Sequence, residues 1–157
     1  MPGPSADDVR RASMTTLAET HTVYVETVRK SWGEEGLRIL GEANRLHGLE
    51  LGKAAVEQGG LRLGDYRSLF EFFDGAHPYF GFELSISGMT DKSFDLKVTY
   101  CPWLDGFRGK GASPDICEWV TKIDEGIGQA VDPEFRMIIP KCMMRGDDHC
   151  IYRWEKD

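Results

Sequence analysis

The sequence contains no GxGxxG, P-loop, HExxH or GxSxG run, so it carries no signature of dinucleotide binding, P-loop phosphate binding, zinc peptidase or α/β-hydrolase chemistry. It has no CxxC pair, the spacing used by zinc ribbons and fingers. No apolar run approaches the roughly 18 residues that cross a bilayer, so no membrane partner is expected. Met1 to Asp8 shows no basic segment followed by an apolar core, which argues against a secretory signal and for the cytoplasm. Basic residues are outnumbered, with 19 Lys and Arg against 26 Asp and Glu and a formal net charge of −7. Nucleic acid is therefore not the expected partner, because phosphate binding needs clustered cations. Cysteine is absent from the first 100 residues, and all four cysteines (Cys101, Cys117, Cys142 and Cys150) follow.

What is present fits one domain. A chain of 157 residues buries about two-thirds of the surface its unfolded form exposes. Disulfides or metals are not needed to hold such a chain together, and cytoplasmic thiols stay reduced. Residues 1–6 are rich in Pro, Gly and Ser and are expected to be disordered. From Asp7, Met14, Leu17, His21, Tyr24, Val28 and Trp32 recur at steps of three and four, predicting an amphipathic helix. Ser31 to Gly36 reads as a break, with Ser31 as N-cap and Glu34 completing a capping box. Leu37, Leu40, Asn44, His47, Leu51 and Ala54 form the stripe of a second helix, which Gly59-Gly60 ends. Asp65 to Phe73 predicts a third, shorter helix.

The period then changes to two. Phe80 to Ile86 and Phe94 to Tyr100 alternate as strands of a hairpin, turning at Gly88 to Lys92 and ending at Cys101-Pro102. Gly106 to Gly111 reads as a loop, and Ser113-Pro114 as the cap and first turn of a helix reaching Ala130. Strands over Phe135 to Cys142 and His149 to Trp154 follow, joined by a turn at Arg145 to Asp148. The expected fold is α+β. N-terminal helices rest on a four-stranded antiparallel sheet, and a crossover helix separates the two hairpins.

The candidate chemistry gathers around the cysteines. Cys142 and Cys150 are equidistant from a turn at Gly146, which places them opposite each other, roughly 5 Å apart at Cβ. Cys117 falls in the first turn of a helix, where free N–H groups favour a thiolate. Asp124 continues the helical stripe that Cys117 begins, so both can point into one cavity. This pattern supports a thiolate nucleophile with Asp124 or His149 moving protons. Three thiols and a further group on zinc are the second reading, weaker on spacing because no CxxC pair is present. The plainer alternative is that free cysteines are small buried hydrophobes. Trp103 is placed to line a pocket. His21 and His47 lie on helix stripes and are candidate proton donors or substrate contacts. His77, before Pro78, reads as a solvated loop residue, and His149 points to the face opposite Cys150. The aromatic set Phe70, Phe72, Phe73, Tyr79, Phe80 and Phe82 reads as core, and Arg10-Arg11 and Arg29-Lys30 as solvated charges.

Cys101-Pro102-Trp103, Cys117, Asp124 and the run from Arg145 to Tyr152 resemble the L-2-amino-thiazoline-4-carboxylic acid hydrolase family, and Leu46 to Gly52 is similar to that family's N-terminal half. The resemblance implies a small hydrolase acting at a C–N bond, opening a thiazoline ring with water to give a carbamoyl-cysteine. It puts Cys101, Cys117, Asp124 and Cys150 at family positions. With the reading above, the catalytic candidates are Cys117, Asp124 and Cys101, and the substrate-binding candidates are Trp103, His21, His47 and Cys150. No cofactor is expected in this case. The same half also resembles the related 4-vinyl reductase domain, a small-molecule sensing module. That likeness implies a zinc site on Cys117, Cys142 and Cys150, with Ile139 standing where the module carries a Glu. A homodimer formed through the long helices is the partner expectation. An accessory protein without turnover is the third possibility.

Overall fold

The computed structural model describes residues 3–157. Helix α1 spans Ala6–Glu57, and a capping box starts it. Ser5 Oγ accepts from the Asp8 N–H at 3.2 Å, and Asp8 Oδ2 accepts from the Ser5 N–H at 3.0 Å. Ser5 and Ala6 are thus ordered, contrary to the expectation for residues 1–6; Met1 and Pro2 lie outside the described residues. The break foreseen between Ser31 and Gly36 narrows to one residue. Gly33, at φ 61 and ψ −151, kinks α1 without ending it, a backbone setting open to glycine and closed to most other residues. Ser31 caps nothing, because the helix runs through it.

The buried face of α1 coincides with the expected apolar stripe at Leu37, while Met14, His21, Val28, Leu40 and Asn44 of that stripe are half-buried. That face is Ala18, Thr22 and Val25 before the kink and Gly36, Leu37, Gly41, Gly48 and Gly52 after it. Tyr24 and Trp32 are 62% and 68% exposed, and His47 also faces outward. The reason is the closeness of the partner helix. A Cβ on Gly48 would sit 1.8 Å from the Ile123 carbonyl oxygen, and one on Gly126 would sit 1.9 Å from the Arg45 carbonyl oxygen. Backbones that touch select glycine, and a hydropathy pattern does not register glycine as core.

Helix α2 spans Tyr66–Phe80, with Asp65 as N-cap. It runs a full two turns past the expected end at Phe73 and takes in His77 and Phe80. Gly81, at φ 104, ends it, with its N–H bonding the Pro78 carbonyl at 3.0 Å while the Phe82 N–H bonds the His77 carbonyl at 3.2 Å. Pro78 lies in the last turn, so its missing N–H costs one bond. Strand β1 accordingly begins late, at Glu83–Met89, and pairs with β2, Ser93–Tyr100. The aromatic set is divided by this shift: Phe73 is buried, whereas Tyr79 is 78% exposed.

Helix α3, Leu104–Gly109, replaces the expected loop. Its Gly106 is there for packing, since a Cβ would lie 2.7 Å from the Ala18 methyl. The crossover helix is in fact two, α4 (Ile116–Val120) and α5 (Lys122–Val131), with Thr121 between them. Asp115, not Ser113, precedes α4. Arg29 is no free surface charge, because it bonds Asp115 at 2.5 Å and ties α1 to α4. Strand β3 is Arg136–Lys141, a 3₁₀ turn covers Met143–Arg145, and β4 is Cys150–Glu155.

The four strands form one antiparallel sheet in the order β1-β2-β4-β3. Helix α5 lies between this sheet and α1, so α1 reaches the core through α5, α4 and α3. Trp154 anchors one core cluster, stacked on Phe73 with ring centres 5.6 Å apart and donating Nε1–H to the Asp124 carbonyl at 2.9 Å. Cys117, Cys142, Cys150, Phe107 and Val98 belong to a second cluster. Among the described residues no helix is long and apolar enough to cross a membrane.

Candidate functional site

A cavity of about 230 Å³ lies where the two core clusters meet. Its walls are apolar, from Phe73, Phe82, Leu84, Leu96, Val98 and Ile127. The polar groups on it are few: His77 from α2, Cys101 after β2, Trp103, Cys117 and Thr121 at either end of α4, Asp124 in the first turn of α5, and Tyr152 from β4. A small apolar cavity with a handful of convergent polar groups is the usual form of a small-molecule site.

Asp124 is the most perturbed acid here. Its backbone carbonyl is occupied by Trp154, but among the described residues its carboxyl group has no hydrogen-bond partner, and its remaining surface opens onto the cavity. Burial alone pushes its pKa up to about 7. Such a group gives and takes a proton near neutrality. His77 bonds the Phe73 carbonyl through Nδ1 at 3.1 Å, so Nδ1 carries the proton and Nε2 is left as an acceptor. Burial lowers its pKa and keeps the ring neutral. Tyr152 is also held protonated, since burial raises its pKa well above the ordinary value.

The thiols divide into two groups. Cys101 and Cys117 line the cavity. Burial pushes Cys101 up to about 11. Cys142 and Cys150 lie behind it, Cys142 being only 1% exposed. The strand pairing brings these two together as the turn geometry predicts, because Lys141 opposes Ile151. Asp147 closes the connection, accepting from the Cys142 N–H at 2.8 Å, and the Met143 N–H points at Cys150 Sγ at 3.2 Å. The neighbouring Cys117 and Cys150 thiols and the positive charge of Arg145 favour a thiolate at Cys142, which is lowered while its two neighbours are raised. Proximity to Cys142 and burial raise Cys117 well above the usual thiol range. This corrects the sequence premise for Cys117. It does sit at the start of a helix, but α4 has five residues and supplies too little dipole to overcome burial. Among the described residues no group of three or more His, Cys, Asp and Glu side chains is arranged to hold a metal ion.

Of the other predicted residues, Trp103 lines the cavity. His21 stands behind it, edge to face at 5.3 Å, with Nδ1 buried and unbonded like Trp103 Nε1. His47 is exposed on α1 and lies apart from the cavity. His149 pairs with Asp148 and is likewise apart. His77 and Tyr152 were missed. The signal for His77 was the helix continuing to Gly81. For Tyr152 it was its alternation with the buried Ile151 on β4.

The fold and cavity define a small α+β protein with a cavity where the helices meet an antiparallel sheet. The chain belongs to the L-2-amino-thiazoline-4-carboxylic acid hydrolase family, whose family model matches residues 11–154. No curated protein matches it in sequence. Among solved structures it is similar to a trafficking protein particle complex subunit 3 from Naegleria fowleri, a crystal structure covalently bound to palmitic acid. The TM-score is 0.61 at 15% identity, covering 93% of this chain and 96% of that one. At that identity the likeness is one of fold.

Proposed function

We propose that the protein is a hydrolase that adds water to the amidine-like carbon of a small cyclic substrate and opens the ring, as its family's name implies. The observation that supports this most is the placing of Asp124, an unpaired carboxyl titrating near neutrality, on the same enclosed cavity as Cys117 and Cys101. Ionised Asp124 takes the Cys117 proton as the sulfur bonds the ring carbon. The ring C–S bond breaks, and Asp124 returns the proton to the departing ring sulfur. A water then loses its proton to Asp124 and bonds the same carbon. The S–C bond breaks, and the proton passes back to Cys117. Cys101 and Trp103 bound the substrate. The high thiol pKa of Cys117 makes the neighbouring base necessary rather than optional.

A second reading, a non-catalytic binding or sensing module, is supported by the same apolar cavity with its few convergent polar groups. Turnover of 2-aminothiazoline and of its 4-carboxylate by the purified chain, followed by thiol release or product mass, separates the two. Activity lost in Cys117→Ser with the fold intact supports the hydrolase. No turnover of either ring while calorimetry still shows it bound overturns the hydrolase in favour of the binding module. We place the protein in the cytoplasm and expect a homodimer through α1, whose exposed Leu17, Tyr24 and Trp32 support self-association; light scattering tests it.

A further inference from the structure

Two hydrogen-bond donors on the cavity have nothing to donate to. Tyr152 stands on the sheet face that meets the helices, opposite Leu96 and between Cys150 and Trp154. Burial holds its hydroxyl in the protonated form, and among the described residues it has no hydrogen-bond partner. The Trp103 Nε1–H is also buried and unbonded. Its indole meets His21 at 5.3 Å, Phe82 at 5.6 Å and Phe107 at 6.0 Å, each edge to face, so the ring is fixed. A buried donor without an acceptor costs free energy that a ligand atom can recover.

The acceptors come from other walls. Asp124 belongs to α5 and His77 to α2. The Asp124 carboxyl group and His77 Nε2 are free to accept. Donors and acceptors that share one cavity of about 230 Å³ and yet do not bond each other stand apart in it. The lining therefore has a donating part, Tyr152 and Trp103, and an accepting part, Asp124 and His77.

Among the described residues that line the cavity there is no Lys or Arg. A ligand with a lone negative charge would lose its water there and find no counter-charge. A zwitterion brings its own. The ring in the family's name joins a basic, amidine-like end to a carboxylic acid, so near neutrality it carries both signs. Cys142, the thiol lowered into the ionised range, lies behind the cavity with Arg145 to balance it.

Resting on the hydrolase reading above, we propose that Tyr152 and Trp103 are the specificity-determining residues of the site. They donate to the carboxylate of a small zwitterionic ring, whose N–H edge turns to Asp124 and His77. The carboxylate is read by two neutral donors in place of an arginine, through bonds that its charge strengthens.

The test compares 2-aminothiazoline-4-carboxylate with 2-aminothiazoline on the full chain at pH 7.5. The proteins are the wild type, Tyr152→Phe, which removes one oxygen and keeps the ring, and Trp103→Phe. The readouts are kcat/KM for each ring and calorimetric Kd in a Cys117→Ser background. The wild type should prefer the carboxylated ring, and each substitution should cut that preference about tenfold in both readouts. A wild type that does not discriminate, or a preference that survives in either variant, overturns the proposal and leaves the hydrolase reading standing. Equal losses on both rings mark a packing role and overturn it as well. If the wild type turns over neither ring, the hydrolase reading falls, and the Kd ratio alone then supports or overturns the carboxylate seat.

Discussion

Replacing Asp124 by Asn is expected to reshape the pH dependence of stability. The folded carboxyl group titrates at about 7, against an ordinary value of 3.8, because burial disfavours its charged form. Between those two values the native state holds a proton that the unfolded chain has released. Its contribution is thus fully present below pH 3.8, declines as pH rises, and is gone above about 7. At about 1.4 kcal/mol per pH unit the whole span is about 4 kcal/mol. That is a ceiling, since the side chain keeps some surface on the cavity. Asparagine has the same shape and cannot titrate. Asp124→Asn should therefore match the wild type near pH 4 and exceed its stability by about 2–4 kcal/mol at pH 8. His21 and His77, both lowered by burial, contribute the opposite slope in both proteins and cancel in the difference. Urea unfolding at steps from pH 4.5 to 8.5 measures it. A constant difference between variant and wild type across that range would refute the burial of an ionisable Asp124.

Four other outcomes follow from the same structure. Gly48→Ala or Gly126→Ala should lower stability by about 3 kcal/mol or more, because each new Cβ meets backbone that has no room to move; thermal unfolding checks it. Cys142→Ser should leave turnover in place, since Cys142 is off the cavity, while Cys117→Ser abolishes it; loss of turnover in both would tie the thiol cluster to the chemistry. Cys101, pushed up to about 11, should alkylate slowly with iodoacetamide at pH 8, as mass spectrometry of modified peptides would show. The rate of ring opening should rise with pH through about 7 as Asp124 ionises, with His77, Cys101, Cys117 and Tyr152 neutral around it; a rate that falls through this range would assign Asp124 the acid role only.

The strands were legible because alternation survives in them: Phe94, Leu96 and Val98 are buried as their period requires. The antiparallel sheet and the pairing of Cys142 with Cys150 follow from that period and the turn. The convergence of Cys117 and Asp124 on one cavity was legible from helical spacing, although the helix breaks at Thr121. The buried face of α1 was legible only in part, at Leu37 and the half-buried Val28 and Leu40. Its contacts are made by Gly41, Gly48 and Gly52, whose value is the space they leave, whereas Tyr24 and Trp32 carry the hydropathy and face outward. His47 was assigned to the site by that displaced stripe. His77 was left out because His-Pro suggests a loop, yet a proline in the last turn of a helix breaks little. The acidity of Cys117 failed for a tertiary reason, since no local pattern shows that its thiol will be buried beside Cys142.

The most direct measurement is steady-state hydrolysis of 2-aminothiazoline by the wild type and Asp124→Asn, with folding of both confirmed by circular dichroism. If Asp124 moves the proton, the variant should lose at least about a hundredfold in kcat while remaining folded. An Asp124→Asn protein that opens the ring at the wild-type rate would contradict the assignment of this cavity as the site of chemistry.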